Sequence, residues 1–339
     1  MFILQGGWQA LVDYLTIHRI ISLFIAFFLS GAIAQFMSQG AVLKHFGPNA
    51  KKATSYFIAS VSGAILAVCS CSVLPMFASI RQKGAGIGPA VTFLFSGPAI
   101  NILAITFTFS LIGKDVGFVR VFGAVGLSLV IGLIMYFVYN KSEVVDANEA
   151  MFELDDAGER KGWQNVLFFA TLIAILISGV KNPLPTLLLT AGLMIELYLF
   201  FSKEEIKAWA GETFSLAKKI APLFIIGIFL AGVIKAIISP ELMVRFVGNN
   251  SLGANLFSSL FGALMYFSTL TEVPIINSFI ELGMQKGPAT AMLLAGPSLS
   301  LPNMIIISRV MGIKRALTYI VLVVILSALV GMLAGAIIY

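Results

Sequence analysis

Apolar residues fill this chain in long runs, and several runs are interrupted inside rather than at their ends. Segments 163–180, 184–201 and 316–338 are apolar on every face and near the ~20 residues that a bilayer crossing takes. The same pattern predicts helices at 20–43, 117–140 and 221–239. Between 20–43 and 117–140, and again between 221–239 and 316–338, the apolar stretches carry glycine-proline pairs where a membrane helix would ordinarily run on. A shift of 199 positions lays Pro75 on Pro274, Gly84 on Gly283, Gly88-Pro89 on Gly287-Pro288 and Gly97-Pro98 on Gly296-Pro297. The register holds onward through Gly113 on Gly312, Leu127-Ser128 on Leu326-Ser327 and Gly132 on Gly331. Nearer the start of each copy the shift is 201, which lays Leu29-Ser30-Gly31 on Leu230-Ala231-Gly232 and Trp8 on Trp209.

The expected architecture is therefore all-α: a polytopic membrane protein of eight to ten transmembrane helices, built from two internal repeats with broken or re-entrant helices. A first repeat occupies 1–140, a polar acidic loop 141–162, two connecting transmembrane helices 163–201, and a second repeat 202–339. Trp8 and Trp209 suggest a short interfacial helix leading into each copy. Seven acidic residues from Glu143 to Glu159 make 141–162 a solvated stretch. Connectors at 82–87 and 282–286 put the breaks on either side of them near the bilayer midplane. Unwound backbone at that depth is tolerated where it is buried in protein or lines a cavity, as in transporters. Discontinuous crossings and re-entrant hairpins both fit the pattern, and with them both parallel and inverted copies. Charge does not choose between them: Lys44, Lys51, Lys52, Lys114 and Arg120 favour one side, while Arg81, Lys83, Arg160, Lys161, Lys218 and Lys219 oppose them if every segment crosses.

Composition agrees with a multi-pass protein of a cell (inner) membrane. Of 339 residues, 59% are hydrophobic and 11% charged, against roughly 25% charged in an average soluble domain. The net charge of +6 comes from short Lys/Arg loops without interleaved aromatics, so no nucleic acid is implied. The partners expected are a lipid bilayer and a small-molecule or ion substrate, and a homo-oligomer is compatible with the sequence. Arg19, the apolar run 20–30 and the small residues at 30–34 look like a cleavable signal peptide, but the echo of this segment mid-chain argues against cleavage. No nucleotide-binding loop of the form GxxxxGK[ST] occurs, and no cofactor is expected.

Chemistry concentrates at the breaks. Cys69-Ser70-Cys71-Ser72-Val73-Leu74-Pro75 holds both cysteines of the chain. On a continuous helix residues two apart point in nearly opposite directions, so the two sulfurs share a ligand only if the backbone unwinds. Pro75 favours unwinding because its ring clashes with the carbonyl of Cys71. Thiolates suit soft ions, so Cys69 and Cys71 are candidate soft-ion ligands, with packing as small apolar residues the bland alternative. Half-helices starting after Pro98 and Pro297 would offer free N–H groups and a positive dipole end to an anion, with Asn101, Ser298 and Ser300 as side-chain donors. Glu272 overlays Val73 and puts a carboxylate beside Thr271 and Pro274 at the second break. A carboxylate at that depth is expensive unless paired or solvated, which makes Glu272 a candidate for proton coupling, with Lys235 a candidate partner. Glu196 and Arg309 lie near helix ends and read as snorkelling, and His18 and His45 as interfacial.

These motifs resemble the predicted permeases that include the bacterial organoarsenical efflux permeases. The resemblance rests on Cys69, Cys71 and Pro75, on Gly88-Pro89 and Gly97-Pro98 with Asn101, and on Thr271-Glu272-Val273-Pro274, Gly287-Pro288 and Gly296-Pro297. It covers nearly the whole chain and is weakest across 141–219. It implies a role for Cys69 and Cys71 in meeting a trivalent organoarsenical, though a third thiolate is lacking in this chain. The leading expectation is a secondary permease and not an enzyme, moving a small thiophilic solute outward. Its expected site comprises Cys69, Cys71, Ser72, Pro75, Ser96, Gly97, Pro98, Asn101, Thr271, Glu272, Pro274, Gly296, Pro297, Ser298, Ser300 and Asn303. An anion or sulfur-compound permease using the half-helix N-termini is the alternative. A membrane thiol oxidoreductase ranks lower, because CxC lacks the helix N-terminal support that activates CxxC thiols.

Overall fold

The computed structural model describes residues 5–6, 8–9, 11–12, 24–25, 27–29, 31–32, 35–36, 51–66, 70–82, 84–150, 162–178, 183–237, 246–265 and 272–338. Among them there is no strand, and the described residues between 5 and 36 are helical. Downstream the helices are α1 (Lys52–Leu66), α2 (Ser70–Gln82), α3 (Ile87–Ala99), α4 (Ile102–Phe107), a π-helical turn (Thr108–Ile112) and α5 (Lys114–Ala150). They continue with α6 (Gly162–Ser178), α7 (Pro183–Phe200), α8 (Lys203–Ile237), α9 (Leu252–Leu264), α10 (Glu272–Glu281), α11 (Lys286–Ser298), α12 (Leu301–Met311) and α13 (Ile313–Ile337).

Two described helices are long and apolar enough to cross a bilayer unaided, Lys114–Tyr139 and Ile313–Ile337. Two more spans arise if each bent pair is one crossing: Ile87–Ala99 with Ala104–Ile112, bent by 47°, and Lys286–Ser298 with Leu301–Met311, bent by 50°. In both pairs the bend falls just after the glycine-proline dipeptide rather than on it. Pro98 and Pro297 are inside α3 and α11, and the chain leaves the helix at Ile100 and Leu299, whose N–H groups still bond Ser96 and Ala295. Lacking its N–H, each proline weakens the last turn. Asn101 and Ser300 then start the next helix, each giving its carbonyl to the N–H four residues on, Ile105 at 2.9 Å and Met304 at 2.8 Å.

Pro75 does not unwind its helix: α2 runs unbroken from Ser70 to Gln82. Six residues from the helix start, it forfeits one backbone bond in a segment whose residues 73–80 are all buried, and packing holds the rest. Pro274 sits third in α10, where an N–H would have no intrahelical acceptor in any case. Two further expectations change, the acidic loop at 141–162 and the separate interfacial helix at Trp209. Residues 141–150 extend α5, with 151–161 outside the described residues, and the polar stretch 203–219 is continuous with 221–237 in α8.

In consequence Trp209 is buried rather than interfacial. Its indole N–H donates to the Phe28 carbonyl at 2.9 Å, and its ring meets Phe28 edge-on and Phe168 likewise. Trp209→Phe keeps most of that apolar contact and strands the Phe28 carbonyl, so a loss of about 1–2 kcal/mol is expected, measurable as a lower melting temperature in detergent.

The central packing is between α3 and α11, α5 and α13, and α5 and α11, with α1 against α3 and α9 against α11 outside. α2 packs on α12, while α10 packs on α4 and the π turn. Among the described residues four glycines have positive φ: Gly84 at 89°, Gly283 at 114°, Gly113 at 133° and Gly312 at 84°. They form the tight connections before α3, α11, α5 and α13, where a side chain would be strained.

Candidate functional site

The two bends face each other. Ser298, the last residue of α11, shares its one hydroxyl hydrogen between the Leu294 carbonyl of its own helix at 3.2 Å and the Phe95 carbonyl of α3 at 3.4 Å, and Tyr319 of α13 reaches the Ser298 carbonyl at 3.4 Å. Ser96, Gly97, Pro98 and Asn101 of the first bend and Gly296, Pro297, Ser298, Ser300 and Asn303 of the second are all buried. Ser96 Oγ donates to the Ala59 carbonyl at 3.2 Å, so that hydroxyl is held by α1. Ser300 caps α12 by accepting from the Asn303 N–H, and the buried Oδ1 of Asn303 has no hydrogen-bond partner. A mostly apolar cleft of about 450 Å³ opens between α1 and α5, with Tyr56, Phe57 and Ser60 on one wall and Val125 and Leu129 on the other. It reaches Ile100 of the first bend.

Of the cysteine segment, Cys69 lies outside the described residues; the backbones of Cys71 and Ser72 are helical and their side chains are likewise outside the description. Pro75 is buried. Thr271 is outside the described residues, and Pro274 is exposed. Lys235 is in α8, its side chain not among those described. Glu196 is hydrogen-bonded by Thr171 of the neighbouring helix at 2.7 Å instead of snorkelling.

Glu272 opens α10 and is 1% exposed, and its counter-charge is Arg120 of α5, which is 0% exposed. Arg120 Nη2 stands 3.2 Å from Glu272 Oε2, and Nη1 donates to Thr108 Oγ1 at 3.0 Å at the start of the π turn. The pair is incompletely satisfied: Arg120 Nε and Glu272 Oε1 are buried without partners. A second cross-link, Lys286 to Asp115, ties the starts of α11 and α5. Read along the sequence, Arg120 passes for a loop charge. Two signals were available: it sits between Val116–Val119 and the apolar run 121–138, and under the shift of 199 both members of the pair replace uncharged residues, Tyr319 and Val73. Among the described residues no three His, Cys, Asp or Glu side chains converge as a metal set.

A family model described as a predicted permease, ArsP_1, matches residues 5–336. The chain belongs to this predicted permease family. A UPF0718 protein from Methanocaldococcus jannaschii, MJ0584, is 46% identical to the permease, over 97% of this chain and 95% of that protein. The UPF0718 protein YraQ of Escherichia coli is 22% identical over 96% of this chain and 81% of its own length. A Streptococcus mutans protein named as a putative two-component membrane permease complex subunit is 23% identical over 70% of this chain and 88% of that protein. No solved structure matches. Membrane transport is thus the activity class of the family to which the chain belongs.

Proposed function

We propose that the permease is a secondary transporter of eight to ten crossings in a cell inner membrane, whose cargo is held at the midplane between two duplicated halves. The observation that carries this is the meeting of the two bends, each a break between half-helices, across the Ser298–Phe95 hydrogen bond. Helix ends at such a junction expose N–H and carbonyl groups that a cargo can use. Matched features support the duplication: bends of 47° and 50°, positive-φ glycines at 84 and 283 and at 113 and 312, and the reciprocal packing of α2 on α12 and α10 on α4. With Ser96–Asn101 and Gly296–Ser300 buried, the arrangement fits an occluded state of an alternating-access cycle, the cleft at Ile100 excepted. Halves at 1–140 and 202–339 would move against each other, with 163–201 between them.

For the cargo we propose a small thiophilic solute of the trivalent organoarsenical class, moved outward and met by Cys69 and Cys71. The family resemblance supports this reading, and so does the packing of α2, which carries Cys71, on α12, which carries Asn303. The second reading, an anion permease, is favoured by one specific observation: a fully buried arginine at a helix N-terminus. Uptake and efflux in inside-out vesicles separate the two. With Cys69→Ser/Cys71→Ser the first predicts loss of arsenical flux by roughly ten-fold or more, the scale of losing one ~1.4 kcal/mol interaction. The second predicts unchanged flux of an oxyanion. Glu272 is proposed as the coupling residue: an identical pH profile of flux in Glu272→Gln would remove it from that role.

A further inference from the structure

The Arg120–Glu272 pair is built into the permease once, whereas its framework occurs twice. Under the shift of 199 the helices and positive-φ glycines recur, but Arg120 becomes Tyr319 and Glu272 becomes Val73. Two sources of positive potential converge beside this pair: the Arg120 guanidinium, whose Nε–H is unpartnered, and the positive end of α10, a helix of 10 residues. The only anion described there is Glu272, which contributes one oxygen to Arg120 and leaves the other without a donor. Buried ionised groups left so incompletely bonded mark a place where a further polar species fits.

We propose that Arg120 is the recognition residue for a small monoanionic oxyanion, and that Glu272 is its resting counter-ion, released from the arginine by taking up one proton. This deepens the reading of the chain as a permease and rests on it. In the resting state the charges at this buried site are those of the guanidinium and the Glu272 carboxylate. An entering anion takes the two N–H directions that Glu272 and the unpartnered Nε leave for it, in the bidentate geometry that guanidinium groups favour. Glu272 would then be a buried carboxylate without a partner, which costs several kcal/mol, unless a proton arrives with the anion. The site exchanges carboxylate for anion plus neutral acid, so its net charge stays constant and one proton travels per anion.

No other described group competes for that proton. α4 and the π turn, which pack on α10, carry no ionisable side chain, and Lys286 of α11 is held by Asp115 of α5. On α10 itself Glu281 is engaged by Asn277 at 2.8 Å. Thr108 keeps Nη1 in place whether Glu272 or an anion occupies the other face.

The test uses the purified full-length permease in detergent, weakly buffered, with a pH-indicator dye and three probes: methanesulfonate, methylphosphonate and acetate. At least one probe is expected to bind with uptake of about one proton per anion, by the charge balance above. Glu272→Gln should bind the same probe without proton uptake. Arg120→Gln/Glu272→Gln, which leaves no buried charge unpaired and so avoids the folding penalty of a single change, should bind it roughly ten-fold or more weakly. Binding by wild type without proton uptake, undiminished affinity in the doubly neutral variant, or no binding of any of the three probes overturns the inference. The permease reading is scored separately in proteoliposomes. Cargo flux with no probe binding retains it and sinks this inference, and proton-linked binding without flux of any solute does the reverse.

Discussion

Arg120→Gln alone is expected to destabilise the permease by about 3–5 kcal/mol, and adding Glu272→Gln to recover most of that loss. The single change leaves Glu272, 1% exposed, as an ion with neither water nor a counter-charge within reach. The double change replaces the ion pair by two neutral amides that can bond each other and Thr108, so the desolvation cost of both charges disappears with their attraction. Glu272→Gln alone should cost at least as much, because a guanidinium cannot shed its charge and the buried Arg120 would keep only its bond to Thr108 at 3.0 Å. Thermal unfolding in detergent, scored for all four proteins, gives the coupling energy directly from the cycle. If the losses of the two single variants simply add in the double variant, the two side chains do not share one electrostatic site.

This pair also marks the limit of what the chain discloses before it is folded. The helices at 163–180, 184–201 and 316–338 were legible within a few residues, because a run apolar on all faces has no alternative in a bilayer. The bends were legible to within three residues from Gly97-Pro98 and Gly296-Pro297. They were displaced because a proline weakens the turn that contains it, while the next helix waits for a residue able to start it, Asn101 or Ser300. Pro75 misled for the complementary reason: its neighbours 73–80 are buried, and packing keeps the helix that the ring alone would disturb. Arg120 stood out only as a rare charge in an apolar run, since its meaning depends on Glu272, 152 positions away. Composition reports that a charge is rare in an apolar run, but only the crossing of α10 over the π turn names its partner. Trp209 follows the same rule, its position near a polar stretch suggesting an interface until the helix before it is in place.

Gly331→Val should be as damaging as the loss of Arg120, and Gly126→Ala should not be damaging at all. A Cβ at Gly331 of α13 would stand 2.6 Å from the Gly287 carbonyl of α11 and 2.7 Å from Asn255 Oδ1, and a Cβ at Gly287 would stand 3.0 Å from the Gly331 carbonyl. The equivalent crossing of α3 and α5 is as close: a Cβ at Gly132 would lie 2.9 Å from the Gly88 carbonyl and 2.0 Å from Thr92 Oγ1. The Asn255 and Thr92 side-chain ends could turn away, but the Gly287, Gly331 and Gly88 obstacles are backbone carbonyls, so the helices themselves must part. Parting them also breaks the bonds that depend on the approach, among them Tyr56 to the Gly132 carbonyl at 3.1 Å, Thr92 to the Ser128 carbonyl at 3.1 Å, and Asn250 to the Met332 carbonyl at 3.0 Å. Small residues at such crossings are what allow membrane helices to associate closely. Overpacking of this kind costs about 1–3 kcal/mol for a methyl group and more for a branched side chain. Gly126, on α5 between the two crossings, meets nothing within 4 Å, so alanine there adds helix propensity without a clash. It should raise the melting temperature slightly, by up to about 1 kcal/mol in stability. Opposite signs from two glycines in equally apolar helices would tie the effect to the crossing itself; equal losses at Gly126 and Gly331 would instead mean that α5 and α13 tolerate no added side chain anywhere along their length.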